Sequence, residues 1–293
     1  MKKQRRINSN SVFTAVIYTV AIVMGLLWLY PLIFVVSASF SDPQALLDGK
    51  VVLFPVGFNL DAYKYIFANP DIMTGYRNTV FYSVVGTLYN MVLTVFAAYP
   101  LSKKDLRGRN FLTVKRTFTM FFGGGMIPTF LNLRDLGMLN TPWVMFIPSA
   151  ISVTNFIIMR NYFTNSVPGE LIEAAHMEGA SELQILRKIV LPLSKPILGV
   201  LTIYYMSGHW NAYFSAVIYL SDDNLKPLQV FLRRVLIQGG MDGMSSGSTM
   251  TDSLIYETLK YGIIVVSTLP MLIGYLLVQK SFKKGIMMGS LKG

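Results

Sequence analysis

The sequence predicts an all-α membrane protein: six transmembrane helices forming a single domain over residues 1–293, with both termini in the cytoplasm. Three observations point there. Hydrophobic residues make up 53% of the 293 and charged residues 14%, with a mean hydropathy of +0.48, whereas a soluble domain carries about a quarter charged residues. The charges fall between apolar runs instead of interleaving with them. Six of those runs approach the ~20 residues a helix needs to cross about 30 Å of hydrocarbon.

In order, the runs lie at 12–38, 78–101, 117–133, 142–159, 196–220 and 258–278. The first has a basic start and is followed by Ser37-Ala38-Ser39, as a signal peptide would be. Its apolar stretch is far longer than the roughly 7–15 residues of a cleaved leader, so an uncleaved anchor is expected. The third is interrupted by Gly123-Gly124-Gly125 and Pro128.

Lys and Arg mark cytoplasmic loops. They gather in the N-terminal tail (Lys2, Lys3, Arg5, Arg6) and after the second run (Lys103, Lys104, Arg107, Arg109, Lys115, Arg116). Others lie around the segment after the fourth run (Arg160, Arg187, Lys188, Lys195) and in the C-terminal tail (Lys280, Lys283, Lys284, Lys292). The net charge of +11 is then a matter of topology and a lipid surface, and no nucleic-acid partner is implied. Segments 40–77, 134–141 and 221–257 fall outside. The chain has no cysteine, which removes disulfides and thiol-ligated metals.

Residues 166–192 form a short amphipathic insert on the cytoplasmic side. Ser166 suits an N-cap, Pro168 a first helical turn, and Glu170 and Glu173 put negative charge near the positive end of a helix expected to start near Val167. Leu171, Ala174, Ala175 and Met177 give it a small apolar side, and Gly179 supplies the left-handed turn that ends it. Ser181 and Gln184 predict a capping box for a second helix reaching Leu191, where Pro192 stops it.

The insert spells EAA-x3-G-x9-I-x-L-P through Glu173, Ala174, Ala175, Gly179, Ile189, Leu191 and Pro192. That pattern resembles, without gap or mismatch, the coupling loop of the membrane subunits of ATP-binding-cassette (ABC) importers. Gly137-Met138-Leu139-Asn140-Thr141 with Trp143 and Ile147-Pro148, the pair Trp210-Asn211, and Gln279-Lys280 through Lys292-Gly293 are similar to carbohydrate-type, MalG-like permeases. Gly123 to Thr129 and Phe156 to Phe163 narrow the resemblance to the subgroup that imports alginate and rhamnogalacturonan oligosaccharides.

What the resemblance implies is a type I importer fold in a bacterial inner membrane. This chain would be one permease half, paired with a second homologous permease, with two copies of an ABC ATPase and an extracellular or periplasmic sugar-binding protein. The EAA loop would carry ATPase motion into the membrane. ATP and Mg would sit on the ATPase, this chain binding no cofactor. The turn-rich stretch with Gly239, Gly240, Asp242 and Gly243 would reach the binding protein, and the substrate would be a complex or acidic oligosaccharide.

What the residues exclude agrees with that picture. No G-x4-G-K-[ST] phosphate loop occurs, so hydrolysis must come from another chain. No run carries Asp or Glu in its middle, where an ion-coupled carrier places its relay. Two histidines, His176 and His209, make neither a metal cluster nor a catalytic constellation. An ABC permease for a non-sugar solute, and behind it an ion-coupled secondary transporter, are the alternatives.

For the route itself, Tyr204, Gly208, Asn211 and Ser215 share one helical face, as do Tyr82, Gly86 and Tyr89, and Pro148, Ser152 and Asn155. Neutral hydroxyls, amides and aromatic faces suit a sugar. The competing reading is interhelical packing, and it is preferred for His209. Arg160 can attract an acidic sugar, but a snorkelling anchor is preferred there.

Overall fold

The computed structural model describes residues 9–238 and 250–289, so Gly239, Gly240, Asp242, Gly243 and the basic residues at the N-terminus lie outside the described residues. The described residues are helices and their connections, without a strand. They divide into two compact units, Met1–Asn69 with Arg234–Val266 and Pro70–Arg233 with Ser267–Gly293.

The first unit contains α1 (Ser9–Ser39) and α2 (Asp61–Ala68). Along Phe13–Ser39, α1 is apolar all round and leaves nearly every side chain exposed before its last turn. Such a helix persists only where lipid or another helix covers it. Its end is pinned by hydroxyls. Ser37 donates to the Leu53 carbonyl at 2.7 Å, and Ser41 donates to Ser37 O at 2.7 Å while accepting from Val56 N at 3.1 Å. Phe40 stacks between Phe58 and Tyr63, with centroids 5.8 and 4.8 Å away. Gly262 lets its helix approach α2, since a Cβ there would stand 3.0 Å from Ile66 Cδ1.

In the second unit, α3 (Pro70–Ser102) is the central post. Its 33 residues extend about 50 Å. Next come α4 (Arg109–Phe121), α5 (Met126–Asp135), α6 (Val153–Ser166), α7 (Gly169–Met177) and α8 (Glu182–Leu193). They are followed by α9 (Lys195–Trp210), α10 (Phe214–Tyr219) and α11 (Leu228–Gln238); α12 (Met250–Gly289) is the last helix. Helices α9 and α6 pack on α3. An inner core holds Ala98, Phe156, Met159, Ile185, Val190 and Leu201, and an outer core holds Tyr82, Leu133, Phe146, Ala216, Leu220 and Val230.

Among the described residues three helices are long and apolar enough to cross a membrane, at Phe13–Ser39, Pro70–Ser102 and Leu254–Leu277, and α8 with α9 qualifies as a pair bent by 83°. The remaining runs are not the continuous helices expected. The run at 117–133 breaks between α4 and α5 at the glycines, where Gly125 takes φ +86°, a backbone region open to glycine at no steric cost. The run at 142–159 is a 3-10 turn, Pro142–Met145, then irregular backbone up to α6; Pro148 has no N–H for a helical bond there. The run at 196–220 breaks after Trp210, where the Asn211 amide donates to the Ser207 carbonyl at 2.9 Å and ends the helix. Lys115 and Arg116, expected in a loop, lie within α4.

Candidate coupling and translocation site

The insert is a helix–turn–helix, with different boundaries from those expected. Ser166 ends α6 and Val167 is its C-cap, while extended Pro168 (φ −63°, ψ 127°) precedes α7. Because α6 continues without a break to Ser166, no Ser cap is needed there. At the far end of α7, Gly179 N donates to His176 O at 3.0 Å and Ala180 N to Ala175 O at 2.9 Å, with Gly179 at φ +78°. This double closure is a Schellman motif. A Cβ on Gly179 would meet nothing within 4 Å, so only the backbone angle requires glycine.

Ser181 and Gln184 make the expected capping box, with bonds of 3.4 and 2.9 Å. Pro192 does not stop the helix, which continues to Leu193. A π turn over Leu186–Val190 widens the backbone just ahead of it, with Leu191 N reaching back to Leu186 O. That widening accommodates the proline ring that would clash in a regular helix.

Burial sorts the motif into two sets. Glu173, Ala174 and Gly179 are exposed. Ala175 is buried at 8%, and Ile189 and Leu191 pack against the inner core. Ala175 therefore faces inward, not towards a partner, because α7 seats on its own protein through that side. Met177 is 89% exposed, with Leu171 and Leu183 also exposed.

The insert is tied to the inner end of α3 through Glu182. Its carboxylate accepts from Lys103 Nζ and from the Tyr99 hydroxyl at 2.8 Å, and lies 3.5 Å from His176 Nε2. The Lys103 bond holds the Glu182 carboxyl below its ordinary pKa against the opposing effect of burial. Sequence reasoning missed this tie, since its members lie 79 and 83 positions apart and carry no local signal.

Between the inner and outer cores, α3 presents a polar seam of Thr79, Ser83, Thr87, Asn90 and Thr94, all buried. Asn90 Nδ2 contacts His209 Nε2 at 3.0 Å and Ser149 O at 3.4 Å. Thr94 Oγ1 bonds Tyr205 OH at 2.6 Å, and the Tyr205 hydroxyl accepts from Ser152 N at 3.1 Å. Arg116 donates to Ile151 O. Side chains from α3, α4 and α9 thus satisfy the backbone that the broken 142–159 run frees.

Of the residues assigned to the route, Tyr204, Gly208, Asn211 and Ser215 are exposed. The face is real for the first three, while Ser215 sits on α10 beyond the break. Tyr89 is half-buried beside Phe146, centroids 5.8 Å apart. Ser152 caps α6, accepting from Asn155 N at 3.4 Å, and Asn155 is buried. Tyr82 is 1% exposed with its hydroxyl donating to Leu225 O at 2.8 Å. It is a core residue, so its place in the route does not hold. Gly86 admits the His209 ring, 2.7 Å from where a Cβ would stand, so both serve packing. Trp210 is buried too, its indole donating to Ser267 O at 2.9 Å.

The helix–turn–helix of α7 and α8 is thus seated on a helical body that includes helices long and apolar enough to cross a membrane. Residues 8–283 match the family described as binding-protein-dependent transport system inner membrane component. The chain belongs to this family. It is a transport subunit, a permease of the ABC type, and ATP hydrolysis is supplied by a separate chain.

Among this permease's relatives is the polygalacturonan/rhamnogalacturonan transport system permease protein YtcP of Bacillus subtilis, 41% identical over 97% of this chain and 99% of the relative. Protein LplC of the same organism is 39% identical over 92% of this chain and 91% of its own length. A chain from the crystal structure of a bacterial ABC transporter involved in the import of the acidic polysaccharide alginate superposes with a TM-score of 0.85 at 36% identity. It covers 96% of this permease and 100% of that chain.

Proposed function

We propose that the protein is one permease half of an importer that carries an acidic, pectin- or alginate-type oligosaccharide across a bacterial inner membrane. The observation that carries this reading is the likeness over nearly full length to a permease named for polygalacturonan and rhamnogalacturonan, joined by the likeness to an alginate importer. Six spans with both termini cytoplasmic form a single membrane domain over residues 1–293, three of the spans being broken helices. The coupling loop is 166–192 and the external loop 221–257.

The partners are a second permease, two copies of an ABC ATPase and an external binding protein, the last contacted at Gly239, Gly240, Asp242 and Gly243. Glu173, Ala174, Gly179 and Met177 meet the ATPase. Ala175, Ile189, Leu191 and Pro192 hold the loop in place, which the burial of Ala175, the packing of Ile189 and Leu191 on the inner core and the π turn ahead of Pro192 support. The chain binds no cofactor; ATP and Mg belong to the ATPase. Tyr204, Gly208 and Asn211, with Ser215 and Tyr89 flanking, line the sugar route, and broken helices beside a route are how a membrane protein exposes backbone safely.

Uptake of labelled oligogalacturonides by cells lacking this chain tests the proposal. Uptake is expected to fail and to return with the chain restored; unaltered uptake, with neutral solutes lost instead, would overturn the substrate assignment.

A further inference from the structure

Arg116 reaches from α4 to unwound backbone. It lies about 10 Å along α4 from the first residue of that helix, and its guanidinium donates to Ile151 O in the unwound stretch ahead of α6. From there α6 runs 14 residues, about 20 Å, to the coupling loop, which puts Ile151 deep in the hydrocarbon layer. Unwound backbone at that depth is tolerated only against protein or water. Ile147, Pro148 and Ser149 are exposed on this chain, so they face the route or the second permease and not lipid.

A guanidinium carries five N–H donors, and Arg116 has a bond to Ile151 O but no carboxylate partner among the described residues. An arginine inside a membrane span is costly and marks a site when it faces an internal cavity.

We propose that Arg116 is a carboxylate-binding residue of the translocation route, reading the acidic groups of the oligosaccharide as they pass the break at 146–152. The planar fork suits this double duty. One edge holds the Ile151 carbonyl and so fixes the side chain, leaving the other free to take a carboxylate in two parallel bonds. This inference rests on the acidic-oligosaccharide reading above.

The test is uptake by the complete reconstituted importer of an oligogalacturonide and of its methyl ester, which keeps the sugar and masks the charge, with Arg116→Gln and Arg116→Lys. Arg116→Gln keeps hydrogen-bond donors and loses the charge. It is expected to lower acid uptake at least tenfold and to change the acid-to-ester ratio in the ester's favour, while Arg116→Lys, which keeps the charge and loses the planar fork, is expected to fall between Arg116→Gln and wild type. Equal loss of both forms in Arg116→Gln, or equal acid uptake by the Gln and Lys variants, would reduce Arg116 to a clasp for Ile151 and overturn the inference with the substrate class intact. A wild-type importer that carries no oligogalacturonide would instead remove the acidic-substrate reading, and this inference with it.

Discussion

Met177 and Ala175 sit two positions apart on α7 and have opposite roles. Met177 is exposed, and burying a charge in its place at the proposed ATPase contact costs more than about 1.4 kcal/mol, a tenfold loss of affinity. Met177→Glu is therefore expected to reduce ATPase recovered with the purified permease at least tenfold without changing the thermal midpoint. Ala175→Leu is expected to do the reverse, destabilising by about 1–3 kcal/mol through overpacking and lowering the thermal midpoint in detergent.

Gly179→Ala places a side chain at φ +78° with ample space, a backbone cost of about 1–2 kcal/mol. Gly179→Asn, which tolerates that angle better, should retain more ATP-driven uptake than Gly179→Ala. Equal loss in both would mean that the backbone angle is not what the position supplies.

Glu182 gives a pH dependence with a definite sign. Its pKa is lowered in the folded protein from 4.5, so the stability it contributes is complete above about 4.5 and is lost as the pH falls through its lowered value. The side chain is 56% exposed, and solvent screening limits the gain to about 1 kcal/mol at most. Glu182→Gln should accordingly lower the thermal midpoint slightly at neutral pH, and the difference should shrink as the pH falls below about 4.5; a difference that grows on acidification would contradict the tie to Lys103.

The elements show where the sequence is legible. The coupling turn could be read because its signals are local: Gly179 closes α7, and Ser181 with Gln184 opens α8 within four residues. The hydropathy of 142–159 and 196–220 hid the breaks, since an apolar average is blind to Pro148 or to a side-chain amide capping its own helix, whereas Gly123-Gly124-Gly125 marked the break in 117–133 from the sequence. The inward turn of Ala175 was equally invisible, because EAA names which residues are small and not which face packs at home.

The stripe on α9 was legible through Asn211, where helical phase holds, and failed at Ser215, beyond the break. Tyr82 looked like a route residue by spacing alone; its partner, Leu225 O, lies 143 positions away. At the seam, Gly86→Leu would drive a side chain into the His209 ring. Severe loss of folded protein is expected, measured as the monodisperse fraction after extraction, whereas Gly208→Ala, with open space around it, should extract normally.

For the whole molecule, one physical condition unites these features. A membrane chain with no phosphate loop and no carboxylate within its apolar runs has to take its work from outside itself, and the insert tied by Glu182 to α3 is where that work enters. α3 then leads from the insert to the seam at Asn90 and Thr94, where broken backbone and the α9 face meet. The exposed apolar surface of α1 needs an apolar cover, and was foreseeable from a run apolar on every side. The most direct measurement is solute uptake, with the external binding protein supplied throughout, by proteoliposomes holding this permease and its partner permease, with and without the ATPase and ATP. The account predicts accumulation only with both, abolished by deleting 169–193; accumulation driven by an ion gradient with no ATPase present would contradict it.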